Sequence, residues 1–468
     1  MKFKGGIMSF VVRSRGISKE FRESEVWDKR CIKSLQKMSE SILDNQCQSF
    51  SAACGKTLRQ NGGRIFSSSK MSTEKMQAGH YKETGKRCGK HKVILCAQDT
   101  TSMNYTGHKK TTGLGLIGST DETKGILVHS MLAMTEEGLP LGIISQHQWV
   151  RKPEDKGKKH KRKELPIEEK ESNKWLKALQ DGEKRLPKKL KEIWIIGDRE
   201  SDIYEYFAMK KAKNIRILSR AMHPRIIEAK IEGSNRRGRL NKLIKELPVF
   251  AEREVEIERK NRTVKIKVDI SYSNIKVYPP ARFGATALPL EMSVVYISER
   301  SRTADKIEWV LLTDNNNMRE EDAQKMLDYY LHRWKVERFH FTLKTGVFNV
   351  EKLQFDDAET LMNAISFYSV LSWNVMFVQY YGRLHPDEKA EKIIDSTEKE
   401  VLEAFSKTKV MNVYQALILI ATLGGFIGGS KRYPFPGVKT LWIGLIKLSA
   451  MKEAWMLAKQ HFLKSYAT

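Results

Sequence analysis

The chain has 468 residues, 40% of them apolar and nine of them tryptophan, which excludes a disordered protein and a single small domain. Its length predicts roughly two to four folded units. The formal net charge is +27 and the pI is about 9.7, an excess that repels itself unless a polyanion neutralises it. Nucleic acid is therefore the favoured partner, with an acidic membrane surface as the alternative.

The cysteines and the uncharged segments indicate which cellular compartment and which partners to expect. The five cysteines are odd in number and include no Cys-x-x-Cys pair, which argues against a disulfide framework and against structural zinc. A reducing cytoplasm fits this usage. Residues 361–381 carry no charge and are long enough for a membrane span, but their polar side chains, Asn363 and Gln379 among them, favour a buried helix. We therefore expect no membrane partner.

The predicted elements begin with a helix from Trp27 to about Leu43 and continue with alternating strands and helices. Strands are predicted from short apolar runs and helices from a period near 3.6 residues. In chain order they are strands 93–97, 125–134 and 140–145, helix 168–179, strand 193–196, helix 201–211 and strand 215–219. Residues 151–163 contain eight Lys or Arg, which predicts a solvated loop, with a DNA-facing loop as the alternative.

The pattern changes after residue 220. Val264, Ile266, Val268 and Ile270 alternate with polar residues, which is the period of an antiparallel sheet with one solvated face. Two more strands, 293–297 and 308–312, precede a long helix over 320–345 and a mostly helical remainder from 359. The sequence therefore predicts an α/β protein with an all-β block near 221–309 and helices at its end.

Two aspartates follow apolar strands in the α/β part. Asp99 comes directly after strand 93–97, and Asp198 comes directly after strand 193–196 and Gly197. The carboxyl edge of such a sheet is where ligands bind, and carboxylates there can hold a hard cation such as Mg²⁺. Taken singly, each residue is more simply interpreted as a loop or helix-capping aspartate.

The predicted helix over 320–345 carries a stripe of polar side chains within roughly 60° of one another. These are Tyr330, Arg333, Glu337 and Lys344. A solvated charged face is one explanation, but Trp334, Phe339 and Leu343 flank the stripe and indicate a packed helix. A metal ligand surrounded by phosphate-binding groups is the other explanation.

The spacing of these four residues resembles a known signature. It is similar to the Tyr-(2)-Arg-(3)-Glu-(6)-Lys pattern of bacterial insertion-sequence transposases of the DDE type, in their cut-and-paste, hairpin-forming branch. Residues 98–101 and 197–203 resemble the two aspartate blocks of that family, and residues 169–176 resemble the helix between them. Residues 436–442 resemble a segment near its C-terminus. The resemblance covers about residues 27–450.

The resemblance implies a fold: a ribonuclease-H-like catalytic core interrupted by an antiparallel β insertion, with helical N- and C-terminal regions. The implied units are a DNA-binding region (1–90), the first part of the core (91–220), the β insertion (221–309), the core with its catalytic helix (310–380) and a helical dimerisation region (381–468).

The resemblance also implies roles for individual residues. Asp99, Asp198 and Glu337 would be the catalytic residues and the ligands of two Mg²⁺ ions, for which Mn²⁺ can substitute. Tyr330, Arg333 and Lys344 would contact DNA. Trp309 would stack on a flipped base, and Arg220 would contact the same distorted DNA end. Without the resemblance, Trp309 is equally well explained as a core strand residue and Arg220 as a surface arginine.

The implied partners are double-stranded DNA, as transposon inverted ends and target, and a second copy of the chain in a paired-end complex. The implied location is the bacterial cytoplasm, at the nucleoid. Two alternatives remain at this stage: a catalytically inactive DNA-binding inhibitor derived from a transposase, and a related ribonuclease-H-like nuclease that cuts without joining. The presence of all three acidic residues argues against the inactive protein.

Overall fold

The computed structural model describes residues 14–45, 53–118, 122–152, 165–259, 262–284, 287–301, 305–428 and 435–465. Most of the basic segment 151–163, which the sequence predicts to be a loop, lies outside these residues. The strands are β1 (Val93–Asn104), β2 (Gly115–Leu116), β3 (Lys124–Met134), β4 (Pro140–Trp149), β5 (Glu192–Gly197), β6 (Ile215–Arg220), β7 (Ile226–Ile231), β8 (Ser234–Arg239), β9 (Val249–Arg259), β10 (Arg262–Val277), β11 (Leu290–Glu299) and β12 (Glu308–Thr313).

Helices precede and follow the strands, and three of the described helices lie between strands. They are α1 (Ser14–Ile17), α2 (Lys29–Asn45), α3 (Lys56–Phe66), α4 (Thr73–Cys88), α5 (Asn173–Arg185), α6 (Tyr204–Ala208), α7 (Leu240–Leu243), α8 (Glu320–Leu331), α9 (Trp334–Phe341), α10 (Ala358–Leu384), α11 (Ser396–Ser406), α12 (Val413–Leu423) and α13 (Val438–Ser465). A π-helical turn, Thr342–Gly346, continues α9.

The strands form one mixed sheet in the order β2-β3-β1-β5-β6-β12-β11-β10-β7-β8, with β4 beside β3 and β9 beside β10. The central strands β1, β5 and β6 run parallel, and β12 joins β6 antiparallel through the pair Leu311–Arg220. The β-rich block predicted near 221–309 is thus continuous with the α/β sheet. A mixed α/β protein with a helical C-terminal region is confirmed, whereas the predicted unit boundaries stay predictions.

The central and outer strands differ in burial as their sequences predict. Strand β5 is an unbroken apolar run, and its residues from Ile193 onward are buried. Strand β10 alternates: Ile266 and Val268 are buried whereas Lys265 and Lys267 are exposed. The outer part of the sheet therefore has one solvated face, as predicted.

The apolar helix α10 is a core helix in this structure. Its length and composition would suffice for a membrane span, but 94% of its most apolar stretch is buried against the rest of the chain. Its polar side chains find partners there: the Asn363 amide donates to the Phe66 carbonyl at 2.8 Å, and the Gln379 amide donates to the Pro436 carbonyl at 2.9 Å. The prediction of a buried helix is confirmed.

The prediction of one long helix over 320–345 is wrong. The helix breaks at His332 and Arg333, and α8 and α9 lie on either side of the break. At the break the His332 ring contacts the Glu136 carbonyl oxygen at 3.0 Å. Trp334, expected to pack beside the polar stripe, is 39% exposed, whereas Phe339 and Leu343 are buried as expected.

Several other predicted elements differ in length, and two of them flank the candidate site. Strand β1 does not end at Ala97 but continues to Asn104, because its polar second half pairs antiparallel with β3. The predicted helix 201–211 is reduced to a 3-10 turn, Arg199–Ser201, and the short helix α6. The reason for the second change is Asp202, whose carboxylate accepts hydrogen bonds from the backbone of Met222 and His223 and ties this segment to the β6–β7 connection.

Candidate active site

Asp99 and Asp198 lie on neighbouring parallel strands. The last pair in the register of β1 and β5 is Ala97 with Ile196, and each aspartate follows two residues later. Burial raises the pKa of Asp99, and the two aspartates lie near enough for the charge of Asp198 to raise it further. Strand β5 ends at Gly197, so the two carboxylates meet where the parallel pairing stops. The expectation that these aspartates share one edge of the central sheet holds, although Asp99 lies within its strand rather than after it.

A buried hydrogen-bond chain anchors β1 on either side of Asp99. The His129 ring contacts the Thr100 hydroxyl and the Gln98 amide oxygen, each at 2.9 Å. The Gln98 amide nitrogen in turn donates to the Tyr206 hydroxyl at 3.2 Å. Burial lowers the pKa of His129, so the ring is neutral and one nitrogen donates while the other accepts. These contacts fix the backbone that presents Asp99.

The carboxylates repel one another. Burial and the charges of Asp198 and Glu337 raise the pKa of Asp99 to about 7. Burial also raises the pKa of Asp198, although its carboxylate accepts a hydrogen bond from the Glu200 backbone at 2.9 Å. Asp198 therefore caps the 3-10 turn after it, as the capping interpretation predicts.

Glu337 is paired with a cation in this structure. The Arg333 Nη2 atom lies 2.7 Å from the Glu337 Oε1 atom, and the Arg333 side chain is 16% exposed. Arg333 is at the break between α8 and α9, and its guanidinium lies over the Tyr330 ring at 5.8 Å. Tyr330 is buried. Arg333 and Glu337 are four residues apart, so their ion pair lies along one face of the helical segment, as the predicted stripe requires.

Trp309 and Arg220 lie beside Tyr330. The Trp309 and Tyr330 ring centroids are 5.2 Å apart in a T-shaped arrangement. Arg220, at the end of β6, donates to the Glu308 carbonyl at 3.2 Å, and burial lowers its pKa despite the neighbouring Tyr330 hydroxyl. Both residues are half-buried rather than core or fully exposed. Arg333 and Glu337 thus lie near enough to Asp99 to shift its pKa. Tyr330 interacts electrostatically with Arg333, Arg220 and Asp198, and Trp309 contacts Tyr330.

Lys344 is paired with a carboxylate outside the predicted site. It is in the π-helical turn, where the angle per residue differs from that of an α-helix, and its ammonium lies 3.5 Å from Glu351. The residue that faces Asp99 from this region is His340, which the sequence analysis missed. Its Nδ1 atom lies 3.9 Å from the Asp99 carboxylate, and its buried Nε2 atom has no hydrogen-bond partner among the described residues. Its position three residues after Glu337 was the available signal.

The aspartate pair has the chemistry of a divalent-cation site. Carboxylate oxygens are the ligands that Mg²⁺ prefers, and the repulsion that raises the Asp99 pKa is what a cation would relieve. Within the described parts of the chain, no group of three or more His, Cys, Asp or Glu side chains is arranged to hold a metal ion. The two aspartates therefore supply oxygen ligands of the right kind, while Glu337 is held by Arg333 in this structure.

The comparisons with known proteins give little. No protein-family model matches the chain. Among solved structures it is similar to a piggyBac transposase in a synaptic complex with hairpin DNA, at 11% sequence identity and a TM-score of 0.31. The match covers 86% of this chain and 60% of that chain, so this chain spans less than two thirds of that protein. A likeness this distant assigns neither activity nor partners.

Proposed function

We propose that this protein is a DNA transposase that cleaves and joins transposon ends in a metal-dependent reaction at Asp99, Asp198 and Glu337. The observation that supports the proposal is that Asp198 and Glu337 lie near enough to Asp99 for their charges to add to burial in raising its pKa, on strands whose parallel pairing ends two residues before the aspartates. Convergent carboxylates of this kind serve two-metal phosphodiester chemistry. The Tyr-Arg-Glu-Lys spacing supports the family, and with it the ribonuclease-H-like core.

The three carboxylates would hold two Mg²⁺ ions, or Mn²⁺ in their place. When bound, the metal would activate the attacking water or 3′-hydroxyl and stabilise the leaving group. The remaining work belongs to the protein's own side chains, which position the DNA.

Arg333 and Arg220 are the groups best placed to hold the phosphate beside the cut. Both are partly buried next to Tyr330, where a guanidinium can bind two phosphate oxygens at once and is weakly screened by solvent. Lys344 would serve the same DNA by exchanging Glu351 for a phosphate. Trp309 offers a half-buried indole at the edge of this group. Such a ring can stack on a base that has left the duplex.

The proposal includes partners and a location. The charge of +27 supports double-stranded DNA, as inverted ends and target, and the reaction requires both ends in one complex. We propose a homodimer that uses the helical region after residue 381, which exposes Phe405, Met411 and Leu457. The bacterial cytoplasm, at the nucleoid, is the proposed location.

The rival functions are separated by one experiment on DNA that carries the inverted repeats flanking the gene. Purified protein and labelled end duplex are incubated with Mg²⁺ or Mn²⁺, and nicked, hairpin, opened and strand-transfer products are resolved over time. A transposase gives all of them. Cleavage without strand transfer would identify the nuclease, and binding without cleavage would identify the inactive inhibitor.

The test substitution for this experiment is Asp99→Asn, and its matched control is Asp181→Asn. Asp99→Asn removes a proposed metal ligand and should abolish cleavage while end binding remains. Asp181 also lies in a buried polar cluster, 3.0 Å from the His147 ring, but has no role in the proposed site. Cleavage that survives Asp99→Asn would refute the proposed active site.

A further inference from the structure

A cavity of about 660 Å³ opens directly after Asp198, and the proposed chemistry does not use it. Its walls are the segment after β5, the β6–β7 connection and the β10–β11 connection, with residues from 167–172 at one side. Neither Trp309 nor Tyr330 lines it. It is therefore a separate space beside the aspartate pair, of a volume that suits a small organic group.

A buried ion pair holds two of these walls together. The Arg225 guanidinium donates to the Asp202 carboxylate from Nε at 2.8 Å and from Nη2 at 2.5 Å. The other Asp202 oxygen accepts from the backbone of Met222 and His223, at 2.8 and 2.9 Å. The Asp202 side chain is fully buried. The cavity is thus built in advance, so a ligand would not bear the cost of ordering its walls.

The cavity wall combines apolar surface with two tyrosines, Tyr204 and Tyr278. Met222, 62% exposed, and Pro224 lie on one side, and Pro280 and Tyr278 lie on another. The Arg237 guanidinium covers the Tyr278 ring at 3.9 Å, and the Tyr278 hydroxyl donates to Glu228 at 3.1 Å. Two independent contacts therefore fix Tyr278. Flat apolar surface beside a fixed ring is suited to a planar heterocycle.

The charged side chains that line the cavity have a net positive charge. Each acidic residue of the wall has a cation: Asp202 pairs with Arg225, Glu205 with Arg282 and Glu200 with Lys174. Two lining cations, Lys170 and Arg199, form no ion pair among the residues that the structure describes. Arg199 is exposed and lies near enough to Arg220 to lower its pKa. It therefore stands between the cavity and the candidate active site.

We propose that this cavity is a nucleotide subsite that receives an unpaired nucleotide of a DNA strand. The base lies against Met222, Pro224 and Tyr278, and the adjoining phosphate binds Arg199 and Lys170. A base inside a duplex is stacked on its neighbours and cannot enter, so the subsite selects single-stranded or unstacked DNA. The inference rests on the proposed function for the choice of DNA as the polyanion.

The test is fluorescence anisotropy of the full-length protein in EDTA, so that no cleavage occurs. The probes are a labelled single-stranded oligonucleotide of mixed sequence and the blunt duplex of the same sequence. Arg199→Ala removes the proposed phosphate contact, and Met222→Asp places a negative charge on the exposed apolar wall. Lys409→Ala is the matched control, because Lys409 is an exposed lysine that does not line the cavity.

We expect each cavity variant to weaken single-strand binding about tenfold, the loss that one base stack or one phosphate contact produces. Arg199→Ala should also reduce the salt dependence of single-strand binding, by about 0.7 in the slope of log K against log salt. Duplex binding should change less than twofold, and Lys409→Ala should change neither. Equal losses on both probes, or no loss on the single strand, would overturn the subsite.

A competition arm separates a strand from a free nucleotide. With dAMP as competitor, a strand subsite predicts that the labelled single strand is displaced only at millimolar dAMP. In Arg199→Ala protein, dAMP should not displace the single strand that still binds. Tight dAMP binding that leaves the labelled strand in place would overturn the assignment to DNA. Because these measurements need no catalysis, Arg199-dependent strand binding in a protein that never cleaves would refute the proposed function and leave the subsite standing.

Discussion

Arg333 holds Glu337 in an ion pair 2.7 Å long, at the break between α8 and α9. The same guanidinium lies over the Tyr330 ring and acts electrostatically on Asp99 and Asp198. An acid proposed to bind metal is thus neutralised by a cation proposed to bind phosphate. When DNA and metal bind together, a phosphate can replace Glu337 as the partner of Arg333, and the metal can replace Arg333 as the partner of Glu337. Between reactions, the ion pair would keep both side chains in place.

The first prediction concerns Arg333. Arg333→Ala should lower the rate of hairpin formation and strand transfer by about 10²–10³, the cost of removing one preorganised charge from a phosphoryl site. Arg333→Lys should recover only part of this, because an ammonium cannot bind two oxygens in a plane. Rates come from single-turnover time courses. Arg300→Ala, which removes another arginine–carboxylate pair at 2.6 Å, is the control and should leave the rates unchanged.

The second prediction concerns the cost of burying Asp99. Its pKa is raised to about 7 in the folded protein, so ionised Asp99 destabilises the fold at any pH above its ordinary pKa. Asp99→Asn should therefore raise the melting temperature of the metal-free protein at pH 8, although it removes activity. Mg²⁺ should stabilise the natural protein more than this variant. A lower melting temperature for Asp99→Asn would show that the ionised Asp99 carboxylate does not destabilise the folded protein.

The third prediction concerns Trp309. Its T-shaped contact with Tyr330 leaves the indole half-buried, available to a base that leaves the stack. Trp309→Ala should spare the first nick and slow hairpin formation or opening, by about tenfold for each 1.4 kcal/mol of stacking lost. Trp309→Phe should retain part of the rate. If Trp309→Ala slows all steps equally, the residue serves the fold and not the DNA.

The fourth prediction concerns the stability of the N-terminal segment at low pH. Burial alone would raise the pKa of Glu20, but the Arg87 guanidinium and the His80 hydrogen bond outweigh it and lower the pKa to about 2. Burial also lowers the pKa of His80, so Arg87 is the balancing charge, at 2.6 Å. A lowered carboxyl pKa stabilises the fold above the unfolded-state value and loses that effect as pH falls.

Unfolding monitored by circular dichroism should therefore show a loss of stability between about pH 4.5 and pH 2 that Glu20→Gln removes. At neutral pH Glu20→Gln should cost about 3–5 kcal/mol, because it leaves Arg87 buried without its charge partner. Glu23→Gln is the control from the same segment: Glu23 pairs with Lys82 and Lys86 at the surface, where such pairs contribute about 0–1 kcal/mol. Equal effects of the two substitutions would contradict this account of Glu20.

Many parts of the candidate site could be predicted from the sequence, because local residue patterns mark the strands that carry them. Apolar runs predicted the strands that carry Asp99 and Asp198, and the alternating block predicted the outer sheet that carries Trp309. The polar second half of β1 was not accessible, since residues 98–104 form a strand only because β3 lies beside them.

The break at Arg333 was also hidden. No glycine or proline marks it, and the contact that accompanies it runs from His332 to Glu136, nearly two hundred residues away in the chain. The sequence also did not indicate the Lys344–Glu351 pair, because Glu351 lies beyond the predicted helix. The cavity after Asp198 depends on Asp202 and Arg225, which come together only through the fold.

The central claim is that Asp99 and Asp198 act as one metal-binding unit, and a double-substitution cycle on DNA cleavage tests it most directly. Cleavage of end duplex in Mg²⁺ is measured for Asp99→Asn, Asp198→Asn and the two combined. Groups that hold the same metals lose their effect together, so we predict that each single substitution abolishes cleavage and that the combination is no worse. Partial losses that multiply in the combined variant would contradict the claim, because they would mean that the two carboxylates contribute independently.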